Sequence, residues 1–164
     1  MTRLARSRAL AVLVAAVTAA DWLSKFWVQN RLPVGDWHTV VDGWVFLTHR
    51  RNTGVAFSAF AGDATAWRVG LLALASLVGI AVCVHLIRTT RDRPLRYAAA
   101  LVLAGALGNL GDRLLNGAVT DFILVSYFPF VFNVADVAIT VGAVLLALRM
   151  GAAGREGPPE PTPA

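Results

Sequence analysis

Two aspartates in the last third of the chain stand where a carboxylate is costly. Asp121 lies in Gly117-Ala-Val-Thr-Asp-Phe-Ile123 and Asp136 in Phe132-Asn-Val-Ala-Asp-Val-Ala-Ile139, both in sequence apolar enough to be membrane-embedded. An ionised Asp at the centre of a bilayer costs about 2.5–3.5 kcal/mol on insertion scales, so such a group marks chemistry or transport by default. Two carboxyl groups within about 3 Å cannot both ionise. The ionised member can then deprotonate a water while the protonated member polarises a carbonyl. That is general acid–base peptide hydrolysis without a covalent intermediate. The same pair could instead relay protons or ions. A structural role is the third reading: Asp121 turns a loop and Asp136 pairs with Lys25 or Arg113.

Other polar side chains gather near these two in the sequence pattern. Asp21 and Lys25 are four apart and share one helix face, as a structural ion pair or as a contact for a substrate headgroup. Asn109, Asp112 and Arg113 follow i, i+3, i+4 spacing at the end of an apolar run. Asp112 and Arg113 could form a helix-end ion pair, but Asn109 has no local partner and needs one from another helix. Asn133 and Asp136, three apart, are predicted to share a face of the last helix. Asn133 or Asn109 could hold a carboxylate or a substrate backbone through its amide. Cys83 is the single cysteine, so no intrachain disulfide forms. His38, His49 and His85 lack metal-site spacing with any thiol or carboxylate, and neither metal nor cofactor is expected.

The elements that must position these groups follow from hydropathy. Of 164 residues, 57% are hydrophobic and 15% charged, against about 45–50% and 25% in soluble domains. Apolar runs near 9–28, 67–87, 95–115 and 131–150 are each close to the roughly 20 residues that cross a bilayer. The first resembles a signal peptide, but apolar character resumes past Asp21, so an uncleaved helix is favoured. The expected architecture is an all-α membrane protein with one domain over 1–150 and a disordered Gly/Pro-rich tail over 151–164. Arg3, Arg6, Arg8, Arg88, Arg91, Arg93, Arg96, Arg149 and Arg155 fall on one side, and Arg31, Arg50, Arg51 and Arg68 on the other. That asymmetry puts both termini in the cytoplasm and argues against nucleic acid as a partner of this +5 chain.

Between the first two spans, His38–Thr48 carries β-branched and aromatic residues on both sides of Asp42-Gly43, a hairpin signal with positive φ expected at both central positions. A small sheet on the outer surface is predicted there. Trp37, Trp44 and Phe46 suit the headgroup level.

Four blocks in this order are together more specific than any one alone. They are Asp21-Trp-Leu-Ser-Lys25; Arg51-Asn52-Thr-Gly54-Val-Ala56-Phe57-Ser58; Gly108-Asn109-Leu-Gly-Asp-Arg113 with Gly117-Ala-Val-Thr-Asp121-Phe-Ile123; and Phe132-Asn133-Val-Ala-Asp136. Over about residues 9–150 the chain resembles bacterial lipoprotein signal peptidase, signal peptidase II. The resemblance implies a four-helix aspartic endopeptidase of the bacterial inner membrane. It would remove signal peptides from diacylglyceryl-modified prolipoproteins by cutting on the N-terminal side of the lipidated Cys. Asp121 and Asp136 would then be the catalytic pair. Asn52, Gly54, Asn109, Arg113 and Asn133 would shape the site or contact substrate, and Asp21 and Lys25 would match the polar pair of the first helix. Membrane lipid is the implied surroundings, and nothing demands more than a monomer. The competing reading is a small proton-coupled carrier, for which internal repeats are expected and none is evident. A non-catalytic membrane assembly factor, with structural acids, is the third.

Overall fold

The computed structural model describes residues 3–54 and 65–153. The motif residues Val55–Ser58 and the tail beyond Ala153 lie outside them. Among the described residues there are four helices: α1 (Arg3–Arg31), α2 (Thr65–Thr89), α3 (Arg93–Asn116) and α4 (Val134–Ala153). All four are long and apolar enough to cross a membrane, as the hydropathy pattern requires.

Their surroundings differ. In α3, 56% of the apolar window is buried inside the protein, against 17% or less in the other three, so α3 is the central helix. Its sequence explains why. Ala98, Ala99, Ala100, Ala104, Gly105, Ala106 and Gly108 give it a thin surface, and small residues let helix backbones approach closely where no hydrophobic effect drives association. At the α3–α4 crossing, a Cβ placed on Gly142 would stand 2.7 Å from both the Ala98 carbonyl oxygen and Val102 Cγ2.

The ends of α3 are firmly capped. Asp92 accepts from the Leu95 N–H at 3.2 Å and pairs with Arg149 at 2.7 Å, tying the far end of α4 to the α2–α3 turn. The Arg149 hydrogen bond holds the Asp92 carboxyl below its usual range. At the other end Gly117 adopts the left-handed conformation (φ 68°), which closes the helix and releases the chain into a strand.

That strand extends the sheet beyond the expected hairpin. β1 (Trp37–Val41) and β2 (Val45–Asn52) come from the α1–α2 connection, while β3 (Val119–Val125) and β4 (Val131–Phe132) come from the α3–α4 connection. All pair antiparallel in the order β1-β2-β3-β4. The hairpin is present, but the turn differs from the expected one. Among the described residues only Gly43 of its turn has positive φ (69°), and Trp44 N–H returns to the Val41 carbonyl, giving a three-residue loop. Trp37 and Trp44 are exposed, and Trp37 packs against Phe46 with ring centroids 5.3 Å apart. Val28, Leu32 and Phe122 form a small core that fixes β3 onto α1.

The first span lengthens at both ends, to Arg3–Arg31, and both ends of the fourth shift. The expected fourth span from 131 begins as a strand, and α4 starts at Val134 because Asn133 caps it. At its far end the helix runs through Ala153, into the segment expected to be disordered, where Ala152 and Ala153 favour helix.

Candidate functional site

Asp121 lies beyond Gly117 on β3, at the sheet end of the bundle. Alternation along the strand turns Phe122 into the core on α1 and Asp121 to the opposite face. Asp136 lies in the first turn of α4. The two carboxylates are joined through Asn133, which is the N-cap of α4 rather than a residue on its face. Its side-chain oxygen accepts the Asp136 N–H at 2.9 Å, and Asp136 Oδ2 accepts the Asn133 N–H at 3.2 Å. This reciprocal pairing is a capping box. With Asn133 Oδ1 so committed, its Nδ2 points outward and donates to Asp121 Oδ1 at 2.7 Å.

A second asparagine is oriented the same way from α3. Lys25 Nζ donates to Asn109 Oδ1 at 2.9 Å, so Asn109 Nδ2 faces Asp136 Oδ1 at 2.8 Å. The partner that Asn109 lacked locally is therefore supplied by α1 and α4. The third asparagine is Asn52 on β2. Its oxygen accepts the Gly54 N–H at 2.8 Å, leaving Nδ2 to donate to Asp121 Oδ2 at 2.8 Å. Gly54 sits at φ 85°, and a Cβ there would run into the Leu72 side chain. Each of the four oxygens of the aspartate pair thus receives an N–H donor, and each asparagine is held in one amide orientation by a second contact.

A bulge in β2 makes the Asn52 contact possible. Leu47 pairs with Ile123 but Arg50 pairs with Asp121, so β2 carries one extra residue at Thr48–His49. Without it, His49 and Arg51 would share the face of Asp121 and Asn52 would point away. Both bulge residues are buried and bonded: Thr48 Oγ1 donates to the Asp36 carbonyl at 2.7 Å, and His49 Nδ1 meets the Leu32 carbonyl at 2.8 Å.

Beneath the pair lies the ion cluster. Lys25 Nζ is 2.8 Å from Asp21 Oδ2 and 3.6 Å from Asp112 Oδ2, all three side chains being buried. Asp21 Oδ1 accepts the Ala135 N–H at 2.9 Å in the first turn of α4, and only a glycine at 108 gives its carboxylate room. Asp112 accepts the Thr120 N–H at 2.6 Å and Asn116 Nδ2 at 2.6 Å, which orders β3. Lys25 therefore serves Asp21, Asp112 and Asn109 rather than Asp136, and Asp112 is engaged away from its neighbour Arg113. The half-buried Arg113 donates to the Asn109 carbonyl at 3.4 Å and lies within electrostatic reach of Asp136 and Asp121.

Two contributors escaped the sequence reading. Gln29 Nε2 donates to Thr120 Oγ1 at 2.7 Å, and the Thr120 carbonyl faces Asn133 Nδ2 at 3.4 Å. A signal existed: Asp21, Lys25 and Gln29 form an i, i+4, i+8 polar stripe. Likewise Val119-Thr-Asp-Phe-Ile-Leu-Val, following a glycine stop, reads as a strand.

Burial raises the Asp121 carboxyl from its ordinary 3.8 to about 6, with the Asn52 hydrogen bond opposing and the nearby Asp136 charge adding to the rise. Among the described residues no group of three His, Cys, Asp or Glu side chains is arranged to hold a metal ion. An aspartate pair bridged by asparagines at one end of a four-helix bundle is an arrangement suited to general acid–base chemistry.

The family described as signal peptidase (SPase) II matches residues 13–151. A lipoprotein signal peptidase of Pseudomonas syringae pv. tomato is 47% identical over 84% of this chain and 83% of its own length. One from Pseudomonas aeruginosa is 43% identical over 86% of each. A solved bacterial membrane enzyme superposes with a TM-score of 0.81 at 23% identity, covering 94% of both chains, which establishes the shared fold. The chain belongs to the signal peptidase II family, multi-pass enzymes of the bacterial inner membrane.

Proposed function

We propose that the chain cleaves diacylglyceryl-modified prolipoproteins on the N-terminal side of the lipidated Cys, with Asp121 and Asp136 as the catalytic pair. The observation that carries this is Asn133, which binds Asp121 Oδ1 through its side chain at 2.7 Å and Asp136 Oδ2 through its backbone at 3.2 Å. One helix cap thereby holds two carboxylates in a fixed relation, as general acid–base hydrolysis by one protonated and one ionised member requires. The raised Asp121 takes the proton and polarises the scissile carbonyl, while Asp136 draws a proton from the attacking water. Protonation of the leaving amine by the pair then releases the signal peptide.

Asn109 and Asn52 hold the carboxylates in place, and Arg113 supplies positive charge beside them. Gly54 shapes the Asn52 turn. Asp21 and Lys25 act through Asn109 and the first turn of α4. Both chain ends lie in the cytoplasm, which the arginine asymmetry supports, and the sheet and site then face outward. Residues 1–150 serve as one peptidase unit. A lipidated Cys approaches sideways, its acyl chains held by burial worth about 0.8 kcal/mol per CH₂. The enzyme works as a monomer, without cofactor, metal or nucleic acid.

The test is cleavage of diacylglyceryl-modified and unmodified prolipoprotein by the parent, Asp121→Asn and Asp136→Asn proteins. Loss of cleavage in both variants is expected. Normal processing by either one would sink the pair, and equal cleavage of the unmodified precursor would sink the lipid requirement.

A further inference from the structure

Two adjoining cavities lie along α1 and α3, and neither is lined by Asp121, Asp136, Asn133 or Asn52. The first, about 270 Å³, has an apolar wall of Trp22, Leu23, Phe26 and Leu115. The second, about 290 Å³, is lined by His49, Arg51 and Thr120. Gln29 and Asn116 line both, so the two form one continuous groove.

Its polarity runs in one direction. From Trp22 to Gln29 the helix rises roughly 10 Å toward the sheet, and α3 reaches the same level at Asn116. The apolar stretch is therefore deep in the bilayer and the polar stretch at its surface, as in a lipid standing in that leaflet. Trp22, Phe26 and Leu115 are exposed at 48%, 65% and 77%, so much of the wall is uncovered by the described residues.

The charges select among lipids. Arg51 is the one charged residue lining the polar cavity among the described residues. It spends Nη2 on the Asn116 carbonyl at 2.9 Å, and the guanidinium retains further donors in a fork suited to phosphate. A zwitterionic headgroup would find no carboxylate there for its ammonium. Deeper, Asp112 is already matched by Lys25 and by the donors from Thr120 and Asn116. A peptide is a poorer occupant, because the apolar wall offers its backbone no hydrogen-bond partners.

We propose that this groove seats one glycerophospholipid with an anionic headgroup, its phosphate against Arg51 and an acyl chain along Trp22, Phe26 and Leu115. The seat does not include the aspartate pair and adjoins it through Lys25, which orients Asn109, and through Thr120, which precedes Asp121 on β3. The proposal does not depend on the identity of the peptide substrate.

The test is native mass spectrometry of the delipidated full chain in detergent, titrated with phosphatidylglycerol or phosphatidylcholine of the same acyl chains. One phosphatidylglycerol is retained about tenfold more tightly than phosphatidylcholine, a difference of about 1.4 kcal/mol. Arg51→Gln brings the ratio near unity and Arg51→Lys keeps most of it. Leu115→Trp, at an exposed position, fills the apolar stretch and weakens retention of both lipids. Soluble glycerol phosphate does not compete. Equal retention of the two lipids by the parent, or an unchanged preference in Arg51→Gln, would overturn the proposal. So would displacement of the lipid by glycerol phosphate, which would leave only a site for free anions, or by an apolar helical peptide, which would make the groove a peptide site.

Discussion

Asp121→Asn should stabilise the protein at alkaline pH and destabilise it in acid. The carboxyl rises from 3.8 to about 6 on folding, so the folded state holds its proton more tightly than the unfolded one. Stability from this group is complete below about pH 4 and is lost as pH climbs through 6. At 1.36 kcal/mol per unit, ionised Asp121 costs the fold about 3 kcal/mol at pH 8. Asparagine removes that cost. It also loses an acceptor: the carboxylate receives both Asn52 Nδ2 and Asn133 Nδ2, one on each oxygen, and the substituted amide can serve only one. The orphaned donor costs about 1–3 kcal/mol at every pH. The balance is a gain of about 1 kcal/mol at pH 8 and a loss of about 2 kcal/mol at pH 4, with a crossing between. Thermal unfolding of both proteins in the same detergent, from pH 4 to 8, reads this as a Tm difference that changes sign. A difference independent of pH, or one that favours the variant more in acid, would refute the reasoning, whatever happens to activity.

On the proposed mechanism one carboxyl must be protonated, so kcat/KM should fall about tenfold per pH unit above the value at which Asp121 ionises. Asn52→Ala removes a hydrogen bond that holds this group down, and should move that alkaline limb to higher pH as well as slowing the reaction. Lys25→Met leaves Asp21 and Asp112 buried without their cation. A loss of about 3–5 kcal/mol in unfolding free energy is expected, together with a fall in kcat as Asn109 loses the contact that orients it. Gly142→Ala should cost about 1–3 kcal/mol by wedging α4 from the Ala98–Val102 stretch of α3, readable as a lowered Tm. Deleting one residue of the Thr48–His49 bulge should cut kcat about a hundredfold, by turning Asn52 to the other face of the sheet.

How legible the site was depended on whether its contacts are local. The Asp21–Lys25 pair follows from helix spacing alone and forms as expected. The Asn133–Asp136 spacing carried a correct association with the wrong geometry. Three residues separate neighbours on a helix face, and they equally separate an N-cap from the third helical residue. Only the start of α4 at Val134 decides between them. Asn109 announced that it needed partners but not which ones, because Lys25 and Asp136 reach it from helices distant in sequence. The sheet was half legible. Asp42-Gly43 signals β1 and β2, whereas the segment from Gly117 to Phe130 reads as an outward-facing loop, and its pairing with β2 is what makes part of it a strand. The bulge in β2 was out of reach: its extra residue is defined only against the strand it pairs with.

The burial of α3 has a consequence for the membranes this enzyme can work in. When a bilayer thins or thickens, helices that face lipid tilt or shift to match it, at a modest cost per ångström of mismatch. More than half of the apolar window of α3 is covered by protein, and Asn109, Asp112 and Arg113 all ride on it. The height of the aspartate pair is then set by Asp21, Lys25 and Ala135 gripping one another, not by where the surrounding acyl chains end. Changing acyl length should alter the thermal stability of the bundle well before it alters the rate of the chemical step.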